Sequence, residues 1–128
     1  MSSLSATFDL PPTVAAVPAA RHLVLELLRA WESPHALDDA ALLVSELVSN
    51  VVDHVSGEAE LTVEVSLADA WLRIAVVDGL AIRPVVRELS SDRPRGRGLQ
   101  LVQALADSWG AEEHGGGKRV WFDLRPPL

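Results

Sequence analysis

Three groups of residues carry side chains that could do chemistry. Glu46, Asn50 and His54 are spaced by four. On a helix that spacing stacks them in one row, each step turned about 40° from the last. The row borders a wall of Leu and Val, so the carboxylate and the amide are partly desolvated and need partners. A magnesium ion and a phosphate would serve. Asn offers a neutral oxygen ligand, and Glu can take a proton from an attacking hydroxyl. The plain alternative is the polar edge of an amphipathic helix. Asp78-Gly79 closes a hydrophobic run. An acid there can accept a hydrogen bond from an exocyclic amine, and Gly79 admits a flat ligand close to the backbone. The alternative is an ordinary Asp-Gly turn. Arg95-Gly96-Arg97-Gly98-Leu99 leads into a helical pattern. Its glycines let the backbone curl, its helix-start N–H groups can face an anion, and its arginines add charged donors. It is neither a Walker A loop nor a dinucleotide fingerprint. His54 can reach a phosphate or close the helix end, where a partly cationic ring is favoured.

These groups need elements to hold them. Leu4, Ala6, Phe8 and Leu10 alternate with polar residues and predict a strand ended by Pro11 and Pro12. A helix runs to about Trp31, with Pro18 in its first turn and Leu23, Leu27 and Leu28 on one face. Ser33-Pro34 reads as a cap with a first-turn proline. A long helix follows over 38–55, with Leu43, Leu47 and Val51 as its buried stripe and Asp38 and Asp39 at its positive end. Residues 61–67 and 71–78 are two strands around a short turn. Residues 79–95 hold no period and read as a binding loop or lid. A third helix is expected from about Gly98 to Trp109, ended by Gly110. The chain closes with a hairpin, 111–114 and 118–124, around Gly115-Gly116-Gly117. The order β-α-α-β-β-loop-α-β-β predicts an α+β two-layer sandwich, with three helices on one face of a mixed, mostly antiparallel sheet. The four tryptophans are expected in core packing.

Size and charge narrow the classes. The 128 residues suit one domain over 1–128, with enough apolar side chains for a core. A net charge of −7 disfavours nucleic acid and anionic lipid as partners. The positive charge is ten arginines and one lysine, Lys118, with a cluster at Arg93, Arg95 and Arg97 that suits a local phosphate. There is no cysteine, no apolar stretch of spanning length and no secretion signal, so a cytoplasmic location is expected.

Taken in order, Glu-x-x-x-Asn on a helix, a strand ending in Asp-Gly, a long loop and Gly-x-Gly at a helix start resemble the Bergerat-type ATP-binding fold shared by DNA gyrase, MutL and sensor histidine kinases. More closely, Ser45-Glu46-Leu47-Val48-Ser49-Asn50-Val51-Val52-Asp53-His54 resembles the N-box of bacterial anti-sigma-factor serine/threonine kinases, the stand-alone actinobacterial ones above all. Gly96-Arg97-Gly98-Leu99-Gln100-Leu101-Val102 is similar to their second glycine box, and Gly117-Lys118-Arg119-Val120-Trp121-Phe122 to their closing strand. The resemblance implies ATP and Mg2+ as cofactors. It makes Glu46 the general base and Asn50 the magnesium ligand. Asp78 becomes the adenine contact, while Gly79, Arg95, Gly96, Arg97, Gly98 and Leu99 surround the nucleotide beneath a lid over 80–95. It further implies a sigma factor and an anti-anti-sigma (STAS-type) protein as partners, and a homodimer. Two positions depart from the pattern. Leu80-Ala81-Ile82 lacks the second glycine after the aspartate, and Arg119 replaces a threonine that lies near adenine in the family. Each lost contact would cost about 1–3 kcal/mol, or roughly five- to 150-fold in affinity. A second reading follows from them: a non-catalytic or weakly ATP-binding module that sequesters a partner.

Overall fold

A computed structural model describes residues 3–54, 60–78, 104–114 and 117–127. The elements are β1 (Ser3–Leu10), α1 (Ala16–Ala30), α2 (Leu37–His54), β2 (Leu61–Ala68), β3 (Trp71–Asp78), β4 (Ser108–His114) and β5 (Gly117–Leu124). The five strands form one sheet in the order β1-β2-β3-β5-β4. Every neighbouring pair is antiparallel, so among the described residues the sheet is not mixed. The two-layer α+β architecture is as expected.

Strand alternation builds the core. Val63, Val76 and Val120 share one rung, and Val65, Ile74 and Phe122 the next. All six are buried. The helices cover this face. Helix α1 contributes Ala16, Ala20, Val24 and Leu28, a stripe four residues apart, and α2 contributes Leu43, Val44, Leu47, Val48 and Val51. Leu23, expected on the buried face of α1, is exposed instead, because it lies a quarter-turn from the Ala20–Val24 line.

Local chemistry sets the boundaries. Helix α1 ends in a Schellman arrangement: the Ser33 N–H bonds Leu28 O at 2.9 Å and the Glu32 N–H bonds Arg29 O at 3.1 Å. Glu32 takes the left-handed position, φ 53°, where glycine is usual. Ser33 does not cap α2. Its Oγ sits 2.9 Å from His35 Nδ1 and accepts the His35 N–H. The buried His35 donates Nε2–H to the carbonyls of Leu124 and Arg125, tying the α1–α2 connection to the end of β5. The β2–β3 turn uses Asp69 and Ala70, both at positive φ, the backbone of a tight hairpin.

The third helix expected over 98–109 falls largely on residues outside the described ones; Ala104 and Leu105 are helical. It does not reach Trp109. Strand β4 begins at Ser108, and Gly110, expected as a helix stop, lies inside that strand opposite Trp121. A Cβ on Gly110 would come within 2.6 Å of the Trp121 ring, so glycine is there for packing.

Candidate functional site

Helix α2 and strand β3 are in contact, and the described site candidates, Glu46, Asn50 and Asp78, fall on these two elements. Glu46 and Asn50 lie one turn apart on α2, both half-buried beside Leu43, Leu47 and Val51. Among the described residues neither side chain has a hydrogen-bond partner. Burial pushes the Glu46 carboxyl above its ordinary pKa. The polar row thus sits at the edge of the core, as the spacing predicts.

Asp78 is the last residue of β3 and is buried, 6 % exposed. By strand parity it belongs to the helix-covered face, with Leu72, Ile74 and Val76. Its cross-strand neighbours are Leu61 on β2 and Lys118 on β5. Lys118 shares parity with the buried Val120, Phe122 and Leu124, so the sole lysine of the chain stands beside Asp78 on the same face. Both residues are engaged in further interactions. Lys118 was not among the candidates read from sequence. The signal was present, since it lies two residues before Val120 in an alternating strand.

Gly79, Arg95, Gly96, Arg97, Gly98 and Leu99, and the lid over 80–95, lie outside the described residues, as does the side chain of His54. Arg119 overturns an expectation. It lies on the other face of the sheet, where its guanidinium donates to Glu64 at 3.0 and 3.2 Å and to Glu112 at 3.3 Å. These bonds hold its pKa above the ordinary value. A side chain on that face cannot take the place of a threonine beside adenine, because neighbours along a strand point to opposite faces.

The family model of the histidine kinase-like ATPase domain matches residues 10–124. The chain belongs to that family. No curated protein matches it. Among solved structures it is similar to the crystal structure of the RsbU and RsbW domains of Rv1364c from Mycobacterium tuberculosis. The TM-score is 0.72 and the identity 22 %, over 95 % of this chain and 32 % of the other. The chain thus spans about a third of that protein's length, and the likeness is one of fold. Among the described residues no helix is long and apolar enough to cross a membrane.

The histidine kinase-like ATPase family implies a nucleotide, usually with Mg2+. The described residues fit one. Two half-buried polar side chains without partners among the described residues lie in one row on α2, and such groups are costly to bury unless something satisfies them. Amide and carboxylate oxygens are the donors a hard cation takes. Asp78 offers a buried acceptor at the end of the strand that α2 contacts.

Proposed function

We propose that the chain is an ATP-binding anti-sigma factor and a serine/threonine kinase acting on an anti-anti-sigma protein of the STAS type. The observation that carries this reading is the Glu46–Asn50 pair, half-buried, one helical turn apart and unpartnered among the described residues, on the helix that packs against the strand ending in Asp78. Family membership supports ATP as the ligand. The likeness to a protein described by RsbU and RsbW domains supports a partner-switching role.

Asn50 would hold Mg2+, whose chemistry when bound is to neutralise phosphate charge. Asp78 would accept the adenine amino hydrogen, with its carboxylate fixed by the strand end. Glu46 would accept the proton of the substrate Ser or Thr hydroxyl. A carboxylate whose pKa is raised by burial is a stronger base than an exposed one, and it loses less on taking that proton. The glycine-flanked segment 95–99 would surround the phosphates. Sigma factor binding would use the same domain and place it in the cytoplasm.

Labelled ATP, magnesium and the cognate anti-anti-sigma protein provide the direct test. Label transfer to that protein is expected, reduced at least about a hundredfold in Glu46→Ala. Absence of transfer, with magnesium-dependent ATP binding intact by calorimetry, would leave the partner-sequestering reading in its place.

A further inference from the structure

The rung at which β3 ends takes one residue from each of the five strands: Leu10, Leu61, Asp78, Lys118 and Glu113. Directly opposed residues keep their side chains on one face, about 5 Å apart at Cβ. This rung therefore lies on the helix-covered side with Asp78. It changes character half-way, from two leucines to three charged groups. Asp78 is buried, Lys118 is half-buried and Glu113 is exposed. The neighbouring rung on the same face holds Val63, Val76 and Val120, all buried. An apolar floor thus ends in a polar edge. On that edge a group that only accepts hydrogen bonds stands beside one that only donates them.

A purine base is the complement of such a place, flat and apolar on its faces and polar along its edge. The two common purines differ in that edge. Adenine carries an amine donor at position 6, whereas guanine carries the O6 acceptor there, with N1–H and N2–H donors beside it. A carboxylate standing alone separates them. It accepts from the adenine amine, but it meets guanine O6 as acceptor against acceptor. Asp78 does not stand alone. Lys118 is its cross-strand partner on β5, and Glu113 flanks the lysine from β4. Its ammonium would receive O6 while Asp78 accepts from N1–H and N2–H. Guanine then fits by a shift of one position along the rung, and adenine keeps its bond to Asp78. Both residues have other interactions. A carboxylate offers about four acceptor sites and an ammonium three donors, so a base edge does not require that either be released.

We propose that the site takes guanine nucleotides beside adenine nucleotides, and that Lys118 is the residue that admits guanine. The proposal rests on the nucleotide-binding reading of the Asp78 site and extends its ligand class. The burial of Asp78 sharpens the choice of base. Hydrogen bonds are electrostatically stronger beside an apolar floor than in water, and an unmatched acceptor there is correspondingly costly. Without the lysine, guanine would bring O6 against a buried carboxylate. With it, the same oxygen has a charged donor.

Calorimetry on the full chain with ATP and with GTP, each with magnesium, tests it, and circular dichroism melts show that each variant folds. The wild-type chain should bind GTP within about tenfold of ATP. Lys118→Met should weaken GTP at least about tenfold more than ATP, because a charged donor is lost and O6 is left facing Asp78. Lys118→Arg keeps charge and donors and should hold the ratio of the two affinities near its wild-type value. That ratio cancels any effect on the triphosphate, which both ligands share. ATP binding with GTP more than about a hundredfold weaker would overturn the proposal and leave the ATP reading standing. So would a ratio that Lys118→Met leaves unchanged. Binding of neither nucleotide to the wild-type chain would overturn the nucleotide reading itself, and this proposal with it.

Discussion

Glu46 shows how a single residue carries both a cost and a use. Its folded pKa is raised by desolvation, so the folded chain favours the protonated form. The sign follows: this contribution to stability is fully present below the unfolded carboxyl pKa and is lost as pH rises through the raised folded value. Glu46→Gln cannot ionise. It should match the wild type in thermal melts at acid pH and exceed it at neutral pH, by no more than about 1 kcal/mol because the group keeps solvent contact. Equal melting across the whole range would show that Glu46 is not desolvated. Asp78 makes the opposite case, an acid whose value lies in its acceptor oxygens. Asp78→Asn replaces one of them by a donor, which would face the donor amine of adenine. ATP affinity should fall roughly five- to 150-fold by calorimetry; unchanged affinity would remove Asp78 from the site. Both positions were legible in the sequence, because a four-residue period and a strand-end acid are local patterns. Lys118 was not picked out, since its meaning depends on a cross-strand register that pairs it with a residue forty positions away.

At the scale of elements, apolar periodicity found α2, β2 and β3 to within a residue or so of their ends. It failed where local signals had two meanings. Ser33-Pro34 reads as a helix start, yet Ser33 serves His35. Gly110 reads as a helix stop, yet it is a strand glycine under an indole. Helix propensity could not reveal that packing, because Trp121 lies on a different strand. The contact makes a firm prediction. Gly110→Val pushes Trp121 off its place beneath Arg73, and should lower stability by about 1–3 kcal/mol in denaturant unfolding. A neutral outcome would mean that the ring moves aside freely. The end of β5 is held separately: Asp107 accepts the Arg125 N–H at 2.6 Å and its Nε–H at 2.7 Å, which keeps the carboxyl below its ordinary pKa. That contribution is present above the unfolded pKa and is lost as pH falls through the folded value.

At the scale of the molecule, the sheet divides the chain into two faces with separate chemistry. Sequence pattern recovered the two layers, since helices with one apolar stripe must lie on something. It misjudged which side Arg119 belongs to, because a motif compared position by position carries no strand parity. Arg119→Ala should therefore leave ATP affinity within about twofold of wild type while loosening the Glu64–Glu112 pairing; a large loss of affinity would return Arg119 to the nucleotide side. The tryptophans divide in the same way. Trp31 and Trp109 pack against the core as expected, whereas Trp71 and Trp121 belong to the outer face.

The rung that joins Asp78 to Lys118 is also a gateway. The chain leaves the central strands at Asp78 and rejoins them at Lys118, so the intervening sequence, the edge strand β4 included, is inserted at a single doorway. Doubling the length of such a detour costs only about 0.6 kcal/mol in closure entropy. Segments of different length and composition could then be grafted at that doorway while β1, β2, β3 and β5 keep their register. Selectivity for the nucleotide could in this way diverge between relatives that share one unchanged frame.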